Sequence, residues 1–139
     1  MSLSAVDESH MQAAFRLALK SRAEGGCPIG AVLVDQASGR VLGQGHNGLV
    51  QEGNPIVHGE MAALRAAGRL PNRHRTTLYT TLQPCFMCAG TIAQFGIPRA
   101  RRKRSVSSLE AFATSPITTR GMPNCAMVPA HMKHGCKVV

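Results

Sequence analysis

The sequence predicts an α/β protein, a layered sheet with helices packed on both of its faces. Three observations predict it. Apolar residues recur at helical spacing in separate segments, other segments are short and extended with β-branched or aromatic residues, and the two kinds alternate as helix, strand, strand, helix, strand, helix. At 139 residues and 44% hydrophobic composition, the chain is long enough for one domain with a single layered core.

Met11, Ala14, Phe15, Ala18 and Leu19 fall at i, i+3, i+4, i+7 and i+8, the apolar stripe of an amphipathic helix. Gly25-Gly26 ends it and Pro28 prevents its resumption. Residues 29–34 and 41–47 are extended segments, and the turn-rich residues 35–40 between them predict an antiparallel hairpin. Asn54-Pro55 marks a loop, after which residues 58–67, rich in alanine with Leu and Met, predict a second helix with Gly68 at its C′ position. Residues 70–75 form a polar loop, and residues 76–82, with threonines, Leu78 and Tyr79, give the strongest strand signal. Cys88, Thr91, Ile92 and Phe95 repeat at helical spacing, so residues 85–95 predict a third helix, closed by Gly96 and stopped before Pro98. After Arg99 the pattern fails. Ala100-Arg101-Arg102-Lys103-Arg104 leads into Ser105-Val106-Ser107-Ser108 and a stretch with Pro116, Pro123 and Pro129, where neither period is visible.

Charge is divided unevenly. Residues 1–98 hold 8 Lys/Arg against 6 Asp/Glu, whereas residues 99–139 hold 8 against the single Glu110. The basic tail can meet phosphates, but a solvated end has the same composition. No apolar run is long enough to span a bilayer, and the first residues lack the basic and apolar regions of a signal peptide. Five cysteines, two of them at metal-ligand spacing, argue against a disulfide scaffold and predict a reducing, cytoplasmic setting.

His58-Gly59-Glu60 and Pro84-Cys85-Phe86-Met87-Cys88 carry the chemistry. His58, Cys85 and Cys88 supply three ligands of a zinc tetrahedron and leave the fourth corner to water, the arrangement of catalytic rather than structural sites. A Cys-x-x-Cys that opens a helix places both sulfurs at its positive end, where thiol pKa values are expected to fall. Glu60 lies beside the metal as the general acid/base, because a histidine near the N-cap lets i and i+2 face one pocket. Cys85 and Cys88 taken alone also fit a redox pair or two packed thiols. Pro84, the upstream His-x-Glu and the helix-strand-helix order between the two motifs favour metal, and H-x-E…P-C-x-x-C is a signature of zinc nucleobase deaminases. His10, His46 and His74 lack ligand spacing and are taken as surface or loop residues. Cys27 and Met87 are taken as packed residues, and Cys125, His131, His134 and Cys136 as a chance cluster in a segment without fold signal.

With these motifs the chain resembles the cytidine-deaminase-like superfamily, within it the fungal-type cytosine deaminases and bacterial nucleobase deaminases. The resemblance rests on Gly25-Gly26-Cys27-Pro28-Ile29-Gly30, Gly43-Gln44-Gly45-His46-Asn47, His58-Gly59-Glu60 and residues 76–99, and covers most of residues 7–99. Gly59 and the Gly96-Ile97-Pro98-Arg99 ending favour the cytosine deaminases over the tRNA adenosine deaminases, which usually have alanine between the His and Glu. The resemblance implies a three-layer α/β/α sandwich with a mixed sheet, usually a homodimer. It implies one Zn2+ per chain on His58, Cys85 and Cys88, Glu60 as proton shuttle, and substrate contacts from Asn47, the Gly59 N–H and the Gln83 carbonyl. The implied activity is hydrolytic deamination of a free nucleobase, cytosine to uracil plus ammonia. A tRNA adenosine deaminase and a catalytically impaired zinc-binding relative are the alternatives.

The tail departs from the family. Where relatives continue with a valine-rich strand and a C-terminal helix, this chain has Arg101-Arg102-Lys103-Arg104, no Trp, and no aromatic residue at the family position. Unpaired cations are costly in a sheet interior, so the arginine run is not expected to be that strand. The resulting division is a zinc deaminase core over 1–99 and an atypical basic segment over 100–139. The segment is either a frameshifted or truncated family ending, or a basic arm that recruits nucleic acid.

Overall fold

The sheet is built outwards from two strands that leave almost nothing exposed. The computed structural model describes residues 4–70 and 73–102. The remainder of the basic segment, including Cys125, His131, His134 and Cys136, lies outside the described residues. The elements are α1 (Ala5–Ala23), β1 (Gly30–Asp35), β2 (Val41–His46), α2 (Gly59–Ala67), a 3-10 turn (Arg73–Arg75), β3 (Thr76–Thr80), α3 (Phe86–Gln94) and β4 (Arg99–Arg101). The strand order is β2-β1-β3-β4. β1 pairs antiparallel with both β2 and β3, while β3 pairs parallel with β4. The sheet is therefore mixed, as expected.

Residue alternation along β1 and β3 separates two cores. Val32, Val34 and Tyr79 meet Met11 and Ala14 of α1 on one face. Ala31, Leu33 and Leu78 meet Ala63, Ile92 and Ile97 on the other, where α2 and α3 lie. The three layers follow directly. Close approach on each face depends on glycine: a Cβ on Gly30 would overlap the Ala14 carbonyl, and one on Gly43 the Ala63 carbonyl. Among the described residues no helix is long and apolar enough to cross a membrane.

α1 starts at Ser4 with a capping box, Asp7 N–H donating to Ser4 Oγ and Ser4 N–H to Asp7 Oδ2, both at 3.2 Å. Its buried residues are Met11, Ala14, Ala18 and Ser21. Leu19, expected on the apolar stripe, is 42% exposed, and Leu17 packs against the core instead. One residue advances a helix by about 100°, so the side chain after Ala18 is carried off the sheet.

Three further expectations are corrected. The 70–75 loop contains the 3-10 turn, and the β3 strand ends at Thr80, two residues before the expected limit at 82. The pattern was expected to fail after Arg99, yet Arg99–Arg101 pairs with Thr77–Tyr79. The arginines are tolerated because β4 is the outermost strand of the sheet among the described residues. Arg99 and Ala100 are exposed, and Arg101 Nη1 donates to Asp7 Oδ2 at 3.0 Å. Among the described residues no unpaired cation enters the interior, and the sheet runs two residues past the expected boundary at 99.

Asp7 thereby joins the start of α1 to β3 and β4. Its Oδ1 accepts from Tyr79 Oη at 2.6 Å. That bond, followed by those from Ser4 and the charge of Arg101, holds its carboxyl below the usual range. Burial, and then the bond to Asp7, push the Tyr79 phenol up to about 12. The Asp7 contribution to stability is present above the ordinary carboxylate value of 3.8 and is lost as pH falls through the lower folded value. The Tyr79 contribution is present below 10.0 and is lost as pH rises through about 12. Tyr79 is the one tyrosine of the chain, so tyrosinate absorbance reads it alone. The native midpoint is expected near 12 and closer to 10.0 in Asp7→Asn, with Asp7→Ala destabilising the fold by about 1–3 kcal/mol in urea titrations.

Candidate active site

Three strand ends meet at one edge of the sheet. Gly30 pairs with His46 and Ala31 with Thr80. Asn47 N–H donates to Ile29 O at 2.8 Å and Thr81 N–H to Gly30 O at 3.1 Å. Beyond this edge, α2 and α3 begin on the same face.

His58 is the N-cap of α2 and Cys85 the N-cap of α3, both in extended conformation, and neither side chain caps its own helix. An N-cap side chain ordinarily accepts from the first-turn N–H groups. Here both are turned towards each other instead. His58 Nδ1 lies 3.5 Å from Cys85 Sγ and 3.5 Å from Cys88 Sγ, and the ligand atoms of His58, Cys85 and Cys88 all lie within 4.8 Å of one another. Two sulfurs and one imidazole nitrogen, converging from two helix starts, fit the donor chemistry of zinc.

Glu60 sits in the first turn of α2 and is 3% exposed. Because His58 is extended and not helical, both side chains reach the same pocket. Glu60 Oε1 accepts from Thr80 Oγ1 at 3.0 Å, and Cys88 Sγ lies 3.4 Å from Oε2, its S–H donating. Burial pushes the Cys88 thiol up, and the Glu60 charge and Cys85 push it further. In the metal-free protein this runs opposite to the lowering expected at a helix start. A buried sulfur in these surroundings becomes a thiolate only beside a cation.

Asn47 is 2% exposed. Its Oδ1 accepts from Leu49 N–H at 3.0 Å, an Asx turn. The amide NH2 is left as the group with hydrogen-bonding capacity to spare. Gly59 is buried at the first position of α2, where backbone N–H groups have no intrahelical acceptor. Gln83 is exposed and lines, with Thr80 and Pro84, a cleft between the strand ends and α3. The structure therefore brings His58, Glu60, Cys85 and Cys88 into contact and places Asn47 and Gly59 at the same edge. No hydrogen bond joins Gln83 to them among the described residues.

Other placements differ from expectation. His46 is not a surface residue: its side chain is 16% exposed and lies 3.4 Å from Glu24 Oε2, and it also contacts Lys20 and the Asn47 carbonyl. His10 is half-buried with its ring 5.2 Å from that of Tyr79. His74 is exposed and Cys27 buried, both as expected, and Met87 is half-buried. Sequence reading missed Thr80, whose only signal is a strand pattern, and Ser21. The available signal for Ser21 was a hydroxyl on the apolar stripe of α1, three residues after Ala18.

Residues 4–101 match the family model of the cytidine and deoxycytidylate deaminase zinc-binding region. The chain belongs to this family. It is 45% identical over 105 residues to a cytosine deaminase of Candida albicans, covering 74% of this chain and 69% of that protein. It is 39% identical over 117 residues to a tRNA-specific adenosine deaminase of Haemophilus influenzae, covering 82% of this chain and 64% of that protein. The solved guanine deaminase of Bacillus subtilis superposes with a TM-score of 0.63 at 25% identity, over 87% of this chain and 83% of that one.

Thr80→Val removes the O–H donor to a buried carboxylate oxygen while keeping a β-branched strand residue. It is expected to destabilise the metal-free protein by about 1–3 kcal/mol, measured by urea unfolding in the presence of chelator. Unchanged stability would show that Glu60 finds another donor.

Proposed function

We propose that this chain is a zinc-dependent hydrolytic deaminase of a free nucleobase, converting cytosine to uracil with release of ammonia. The observation that carries the reading is the buried Glu60 carboxylate, held by Thr80 and in contact with Cys88 of the three-ligand group. His58 Nδ1 and the sulfurs of Cys85 and Cys88 would hold the ion, which lowers the pKa of a bound water and so supplies a nucleophile near neutral pH. Glu60 takes a proton from the nucleophile and delivers protons to the ring nitrogen and the departing amine. In balance, one water enters, the carbon–amine bond breaks, a carbon–oxygen bond forms, and ammonia leaves.

The polar groups around this centre support a particular kind of ring. Leu49 N–H requires an acceptor, which fixes Asn47 Oδ1 towards it and presents the NH2 as donor. The first-turn N–H of Gly59 is a second donor. Two donors suit a ring carbonyl, which cytosine and guanine possess and adenine lacks. The likeness to the Candida albicans cytosine deaminase supports the pyrimidine. The second reading, an adenosine in tRNA, is favoured by the Haemophilus influenzae relative. The proposed enzyme is a homodimer, as sedimentation of the purified protein would register.

Purified protein incubated with cytosine, cytidine, adenine and guanine is expected to release ammonia from cytosine. Glu60→Gln should lower the rate by about 100- to 10,000-fold while retaining zinc, and Cys88→Ser should lose the metal in elemental analysis. Turnover confined to guanine, or to an adenosine-bearing tRNA, overturns the substrate. Zinc-free protein as purified, unable to take up zinc, overturns the site.

A further inference from the structure

We propose that Ser21 and His46 are positioning residues for the Asn47 amide, acting through the Asn47 backbone carbonyl. The inference rests on the reading of Asn47 as the contact to the ring. Asn47 O accepts two hydrogen bonds, from Ser21 Oγ at 3.1 Å and from His46 Nδ1 at 3.0 Å. A carbonyl only accepts, so the His46 proton resides on Nδ1. Its Nε2 faces both Lys20 Nζ at 3.1 Å and Glu24 Oε2 at 3.4 Å, and Lys20 Nζ also holds Glu24 Oε1 at 2.6 Å. The ring is thus fixed at both nitrogens.

Ser21 is fully buried on the stripe formed by Met11, Ala14 and Ala18. A hydroxyl there is unfavourable unless it is bonded on both sides, and it is. It donates to Asn47 O and accepts from Gln51 Nε2 at 3.1 Å. Gln51 Nε2 also reaches Ser21 O at 3.3 Å and Glu24 Oε2 at 3.2 Å. Gly26 leaves the space for this, since a Cβ on it would lie 2.6 Å from both polar atoms of the Gln51 amide. The backbone on either side of Asn47 is consequently tied to the last turn of α1.

The effect on Asn47 follows from how its other polar groups are held. Its N–H is committed to Ile29 O, its carbonyl to Ser21 and His46, and its Oδ1 to Leu49 N–H. With Oδ1 turned to Leu49 N–H, the NH2 is directed to the opposite side of the amide, and no hydrogen bond engages it among the described residues. Core packing has no use for the Ser21 hydroxyl: alanine occupies the equivalent positions two and one turns earlier on the same stripe, and the α1 terminus is closed by Gly26 N–H on Ser21 O at 2.8 Å.

Full-length Ser21→Ala and His46→Ala are expected to raise KM for cytosine roughly 5- to 10-fold while kcat stays within about twofold, because a contact made equally to substrate and transition state is weakened. His46→Asn keeps a donor at the δ position and should restore most of the affinity. Two readouts are independent of turnover. Nitrogen NMR of the His46 ring should place the proton on Nδ1, and amide exchange at Leu49 should accelerate in both alanine variants while Val32 and Leu33 keep wild-type protection. A ring with Nδ1 unprotonated, or alanine variants with wild-type exchange at Leu49, overturns the proposal, as does a KM unchanged in both for a protein that deaminates cytosine. If the wild type does not act on cytosine, the substrate reading fails, and the ring proton and Leu49 exchange still decide whether Ser21 and His46 hold Asn47.

Discussion

Two helices begin at one edge of the sheet, and each gives up its cap to do so. His58 and Cys85 stand where Ser, Thr, Asp or Asn would ordinarily close the first turn, and their side chains point at each other instead. An uncapped N-terminus is less stable by about 1 kcal/mol, so the pair forgoes roughly 2 kcal/mol of local stability. The exposed N–H groups and positive dipole ends are what make that edge hospitable to negative groups. Glu60 and the two sulfurs occupy the place. Burial, and then the charge of Glu60 and the neighbouring Cys85, push the Cys88 thiol up, and a cation between the sulfurs and the imidazole is the group that relieves this.

The rest of the fold serves to bring these two helix starts together. Small residues permit it: α2 carries Ala62, Ala63 and Ala67, and β2 offers Gly43 and Gly45 beneath them, so helix and strand backbones meet closely. The fully buried side chains of Leu33 and Leu78, paired across β1 and β3, make the floor under both helices rigid. Thr80 then ends β3 with its hydroxyl directed at Glu60. One strand residue therefore couples the core to the proton-carrying carboxylate of the proposed reaction.

Legibility in the sequence followed locality. His58 with Glu60, and Cys85 with Cys88, are two and three residues apart, so the geometry of one helix start decides what they can share. Thr80 with Glu60 and Ser21 with Asn47 are separated by 20 and 26 residues, and no period or spacing announces them. His46 was misjudged for the same reason, since its partners Lys20 and Glu24 belong to α1. The layers themselves were legible because helical and extended segments succeed one another in the residue order. The strand at Arg99–Arg101 was not. A run of cations disfavours a strand until one knows that it lies at the edge and that Asp7, on the first turn of α1, accepts the guanidinium of Arg101.

That last contact and the Asn47 network share a logic that bears on selectivity. In both, acceptors are consumed by neighbours within the protein until a defined polarity remains. At Asn47 both oxygens are turned to partners within the protein, so the residue faces outwards through its NH2 donor. A buried donor left without an acceptor costs about 1–3 kcal/mol, and a site built to hydrogen-bond one group rejects an analogue lacking it far more strongly than a hydrophobic pocket rejects a missing methylene. On the proposed reading, a ring without a carbonyl is excluded by the polarity of the wall as much as by its size. The source of that polarity is the Leu49 N–H and the last turn of α1, neither of which touches the base.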